Sequence, residues 1–187
     1  MALAKKIHNG MRPGTSRIAR WHIFLALAYS IQLMAFDGGH LITPDVVLLR
    51  WIAVGVLIAA STLTWFIARS RLAKPETDRF VVWLLIFVDI GFAAFNIYTQ
   101  RGMASRGVIL YVIPMCLATV LRSKSALFTT AILGITAYVG AVVAYFALHF
   151  NEGYKLEIYG ETGFYAAVLL LIAAMLWAVL RTSNNKH

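Results

Sequence analysis

Val46-Val47-Leu48-Leu49-Arg50-Trp51-Ile52-Ala53-Val54-Gly55-Val56-Leu57-Ile58-Ala59-Ala60-Ser61-Thr62-Leu63-Thr64-Trp65-Phe66-Ile67-Ala68 contains one charge, Arg50, and is closed by Arg69 and Arg71. About 20 mainly apolar residues suffice for a helix to cross the hydrocarbon core, so this run is long enough to span. Pro44, just ahead of it, suits a first helical turn, and the arginines behind it mark a membrane boundary.

Five further blocks can be drawn outward from this one: about Trp21 to Phe36, Phe80 to Thr99, Gly107 to Leu121, Ala126 to Phe150 and Gly163 to Leu180. The first and fourth are short for a bilayer. The fold class expected is all-α, a polytopic membrane protein built as a six-transmembrane-helix bundle. Residues 1–20 form a basic cytoplasmic segment, 21–181 the transmembrane domain and 182–187 a short cytoplasmic tail.

Orientation follows from where Lys and Arg fall. Lys5, Lys6, Arg12, Arg17 and Arg20, then Arg69, Arg71, Lys74 and Arg79, then Arg122 and Lys124, then Arg181 and Lys186 all fall on one side. The opposite loops hold Asp37, Asp45, Glu152, Glu157 and Glu161 against Arg101, Arg106 and Lys155. Both termini are therefore expected in the cytoplasm, an N-in/C-in arrangement. The helices are expected to pack through small residues such as Gly55, Ala59, Gly140 and Ala144.

Composition excludes a soluble domain. The chain has 187 residues, of which 60% are hydrophobic and 13% charged, and a mean hydropathy of +0.75. That is more apolar surface than one soluble core hides. The net charge of +9 sits at the ends of apolar blocks, so the partner it implies is an anionic inner leaflet and not nucleic acid. The single cysteine, Cys116, lies inside an apolar block and offers neither a disulfide nor a cysteine metal cluster. His8, His22, His40, His149 and His187 are scattered, mostly at block ends, without ligand spacing, and read as interface or tail residues. A zincin motif, nucleophile elbow, Walker loop and paired-aspartate motif are all missing, so no catalytic residue, metal site or enzymatic activity is expected.

Asp89 stands near the middle of the third block. A carboxylate there costs at least about 2.5 kcal/mol on insertion scales, so it should face the protein interior, be protonated or have a partner. Arg50 is the partner expected for it, as a charge pin between helices; the alternatives are a protonatable or ligand-sensing carboxylate, and a neutral Asp89 with Arg50 snorkelling outward. Tyr98, Tyr111, Tyr138 and Tyr145 are expected to pack helices, with a small apolar ligand as the alternative, and Pro114 is expected to kink the fourth block.

The run Asp89 to Arg106, then Tyr111-Val112-Ile113-Pro114, then Leu121-Arg122-Ser123-Lys124-Ser125-Ala126-Leu127 resembles the six-span sensor modules of bacterial histidine kinases of the type IV pilus and redox-responsive groups. Asp89, Gly102, Ser105, Tyr111, Pro114 and Arg122 occupy matching positions. The resemblance implies a sensor in the bacterial inner membrane. Gly102 and Ser105 would form a sensing turn, Tyr111 and Pro114 a kink, and the signal would pass to a cytoplasmic kinase-type output, with a homodimer as the transmitting unit. In redox-responsive members the outer turn is associated with quinone. Arg106 and Gly107 stand where the family has Pro-Phe, and Arg101 replaces a glycine; these departures argue against quinone, and no cofactor is expected. The alternatives are a small transporter or transport-complex subunit using Asp89, supported by an intramembrane acid near a kinked helix, and a membrane scaffold.

Overall fold

The structure, a computed structural model, describes residues 2–39, 44–70, 75–100, 107–149 and 156–184. It is all-helical, with no strand among the described residues. The principal helices are α1 (Ala2–Gly38), α2 (Pro44–Arg69), α3 (Pro75–Thr99), α4 (Val112–Ala118), α5 (Lys124–Leu148) and α6 (Leu156–Asn184). Short 3-10 segments, Val108–Tyr111 and Thr119–Leu121, flank α4. Among the described residues, four helices are long and apolar enough to cross a membrane, within Pro44–Arg69, Glu76–Thr99, Lys124–Leu148 and Tyr159–Thr182. The chain is thus a helical membrane protein, as its composition requires. It divides into two compact units, Met1–Leu85 and Ile86–His187.

In the first unit α1 packs along α2. Buried α1 residues are His22, Ala26, Tyr29 and Leu33, and buried α2 residues are Arg50, Val54, Leu57, Ser61 and Thr64. Both sets advance by alternating steps of three and four, the spacing that keeps one stripe of a helix facing a neighbour. The His22–Ser61 hydrogen bond fixes the antiparallel register. Stepping back along α2 from it brings Ala26 level with Leu57, Tyr29 with Val54 and Leu33 with Arg50.

In the second unit α4 packs on α5 and α6, and α5 packs on α6. The α5 stripe runs through Leu127, Thr130, Ala131, Gly134, Tyr138, Val142 and Tyr145. Ser123 caps this helix, its Oγ accepting from the Ala126 N–H at 3.3 Å. Arg122, just before, adopts a left-handed backbone with φ 48°.

Several expectations change. α1 continues back to Ala2, so the basic segment and the first block form one helix; Ala, Leu and Lys, good helix formers, supply its first five residues. Its apolar part is diluted by His22, Ser30, Gln32 and Asp37, and it is not among the four span-length apolar helices. Gly55, Ala59, Gly140 and Ala144 are exposed, and a Cβ added at Gly55 or Gly140 would meet no atom of the described residues within 4 Å. Atoms approach closely at Gly107 and Gly134 instead. Pro114 does not break a long helix: it lies in the first turn of α4, where its missing N–H removes no helical bond, and the preceding turn is 3-10.

Candidate functional site

α3 is the most enclosed of the four apolar helices, with 56% of its apolar window buried against 11–33% for the others. Asp78, Val82, Leu85, Asp89, Phe92 and Asn96 are all buried on it, and steps of three and four place them on one stripe. Three of the six are polar. Asp89, only 3% exposed, lies fourteen residues beyond the first residue of α3, roughly 21 Å along the axis. It therefore reaches neither end of the helix, as the sequence reading required.

Asp78 belongs to the first unit, and Asp89 and Asn96 to the second. Asp78, 1% exposed, sits in the first turn of α3, where the helix dipole favours a carboxylate. The Asn96 side chain donates from Nδ2 to the Phe92 carbonyl at 2.9 Å, which satisfies one of its polar atoms within the helix. Arg50, 4% exposed, is a buried cation of the first unit. Arg50, Asp78, Asp89 and Asn96 each take part in polar or charge interactions. Ionisable groups in apolar helices are costly and, when present, face the protein interior; Arg50 and Asp89 both do so.

A second polar contact lies in the first unit. His22 Nδ1 is 2.7 Å from Ser61 Oγ, and Ser61 Oγ donates to the Leu57 carbonyl at 2.6 Å. A serine hydroxyl has one proton, so with that proton committed to Leu57 it can only accept from the imidazole. The Nδ1 of His22 is therefore the donor in this contact. This corrects the interface reading of His22: the ring is buried, 4% exposed, and holds α1 to α2.

The remaining expected residues fall differently. Tyr111 and Tyr138 meet edge to face with ring centroids 6.1 Å apart, and Tyr98 and Tyr145 do likewise at 6.0 Å. Both are edge-to-face contacts of the kind that pack helices together. Pro114 is buried in α4. Cys116 is exposed. Gly102 and Ser105 lie outside the described residues. No group of three or more His, Cys, Asp or Glu side chains able to hold a metal occurs among the described residues.

Asp78, Asn96 and Ser61 were missed as notable positions in the sequence. The signal for the first two was spacing: eleven and seven residues from Asp89, both close to whole helical turns.

Fold and site together define a multi-span helical membrane protein with a buried polar stripe on its most enclosed helix. Residues 18–187 match the UNC-50 family, and the chain belongs to that family. No curated protein and no solved structure is detectably similar to it. The family is eukaryotic and is not a bacterial sensor-kinase module, so the histidine-kinase resemblance, the two-component sensor function and the bacterial inner-membrane location that it implied are overturned. The physical reason is plain. A mid-helix acid, a short proline-containing segment and a basic turn are features many multi-span helical proteins need, and they do not distinguish families.

Proposed function

We propose that this UNC-50-family protein is a non-catalytic, six-span membrane protein with both termini in the cytoplasm, which acts by binding within the bilayer through the polar stripe of α3. The observation that carries the reading is the burial of Asp89 on the same face as Asn96, inside an apolar helix. A group that is costly to bury at mid-membrane is a candidate working residue. The basic residues at the helix ends support the orientation, and an anionic inner leaflet is the lipid partner they suit. No cofactor is required for this role.

The test separates working residue from structural pin. Asp89→Asn keeps shape and removes the charge. The protein carrying it should unfold within a few degrees of the parent, yet fail to restore cells lacking their own UNC-50-family protein. Full restoration by a stably expressed Asp89→Asn protein would contradict the proposal. So would transmembrane flux in proteoliposomes that the same substitution abolishes.

A further inference from the structure

The first turns of α1 serve neither the α3 stripe nor the His22–Ser61 contact, yet they are helical from Ala2 onward. The antiparallel register set by His22 and Ser61 brings Gly14 level with Arg69, the last residue of α2. From Pro13 back to Ala2, α1 therefore extends past the end of α2, over roughly 18 Å of helix. Its register sorts the residues by chemistry. Leu3, Ile7, Met11, Ile18 and Trp21 advance by steps of three, four or seven and share one side, whereas Lys5, Lys6, Asn9, Arg12, Arg17 and Arg20 share the other. No acidic residue precedes Asp37. Trp21, where the apolar side ends, is 67% exposed, so α2 does not cover that side there.

A helix this short is marginal in water by itself, so the segment needs a surface to lie on. One basic and one apolar side suit either an anionic membrane or an acidic protein groove. The membrane is within reach. Arg69 closes α2 at the membrane boundary, and Gly14 lies level with it, so Pro13 stands at that boundary, between Gly10 and Gly14. A proline inside a helix has no N–H and crowds the carbonyl four residues back, here that of Asn9, which opens the helix on the proline's side. By register, Pro13 belongs to the basic side with Lys6 and Arg17. The bend therefore closes on the apolar side. Folding at Pro13 turns the side that carries Leu3, Ile7 and Met11 down toward hydrocarbon and leaves the basic side at the level of the phosphates.

We propose that residues 2–12 are an amphipathic docking helix, which folds at Pro13 onto the cytoplasmic leaflet and binds anionic lipid there. The apolar side supplies burial, Lys5, Lys6 and Arg12 supply the charge that selects anionic headgroups, and Pro13 is the hinge. The inference rests on the cytoplasmic placement of the N-terminus proposed above, which sets the segment beside that leaflet.

The test uses the full chain carrying Cys116→Ser, in nanodiscs of phosphatidylcholine alone or mixed with phosphatidylserine. An environment-sensitive fluorophore is attached at Ile7→Cys, on the apolar side, or at Asn9→Cys, on the basic side. With phosphatidylserine present, acrylamide should quench the Ile7→Cys label about fivefold less than the Asn9→Cys label. Each basic residue near an anionic surface is worth about a factor of five, so Lys5→Gln, Lys6→Gln and Arg12→Gln together should lower the docked population about a hundredfold and leave the two labels equally quenched. Phosphatidylcholine alone should equalise them too, as should Pro13→Ala, which straightens the helix. Equal quenching of the two labels on phosphatidylserine would overturn the proposal, and so would a difference that survives any of these three changes. If labels equal on phosphatidylserine become unequal when calcium-loaded calmodulin is added, an acidic protein groove takes this face in place of lipid. Nanodiscs expose both faces of the bilayer, so these outcomes do not depend on which side the N-terminus occupies; that placement fails separately, in sealed vesicles.

Discussion

A single hydroxyl proton decides the chemistry between α1 and α2. With Ser61 donating to Leu57, the Nδ1–H of His22 has Ser61 as its acceptor. Ser61→Ala should strand that buried donor and destabilise the protein by about 1–3 kcal/mol in chemical or thermal unfolding, and His22→Leu added to it should recover part of the loss. Strict additivity of the two substitutions would show that the contact contributes nothing. Arg122 offers the opposite sign. A non-glycine residue with left-handed backbone costs about 1–2 kcal/mol, so Arg122→Gly should raise stability by about 1 kcal/mol, and a drop would contradict the strain assigned there. The burial of Asp89 was legible in the sequence because hydropathy and helix rise fix its depth. His22 was not, because a histidine at a block end looks the same whether it faces lipid headgroups or a neighbouring helix. Only the partner, thirty-nine residues away, decides.

Whole helices were easier to read than their ends or their packing faces. Hydropathy located the blocks that became α2, α3, α5 and α6, since burying backbone polar groups in lipid leaves the helix as the natural form of a single apolar run. It misjudged α1 and α6, each of which begins well before its apolar part, because polar residues continue a helix as readily as apolar ones. Small residues misled too. Gly55 and Gly140 have nothing within 4 Å of an added Cβ, whereas Gly134 has Tyr111. Gly55→Leu and Gly140→Leu should therefore leave unfolding unchanged or slightly delayed, helped by better helix propensity, while Gly134→Leu should destabilise by about 1–3 kcal/mol through overpacking. Comparable losses at all three would mean that Gly55 and Gly140 also face protein. Pro114 belongs at this scale as well. In the first turn of α4 it removes no bond, so Pro114→Ala should change stability by less than about 1 kcal/mol; a gain near 3 kcal/mol would point to a proline inside a continuous helix.

For the whole molecule, class and membership rest on different grounds. Hydropathy alone made it a membrane protein, and four span-length helices agree. Family membership came from the match over residues 18–187, and local motif likeness pointed elsewhere because motifs imposed by a bilayer recur in unrelated chains. The number of spans and their direction rest on the charges at the helix ends. Single-cysteine accessibility tests this most directly. Cys116→Ser removes the native thiol, and Gly39→Cys, Ser70→Cys, His149→Cys and Thr182→Cys then report, one at a time, to a membrane-impermeant maleimide in sealed vesicles of known orientation. Six spans with both termini in the cytoplasm predict that Ser70→Cys and Thr182→Cys label from the cytoplasmic side, and Gly39→Cys and His149→Cys only from the other. Labelling of Ser70→Cys and Thr182→Cys from opposite sides, or of Gly39→Cys from the cytoplasmic side, would contradict it.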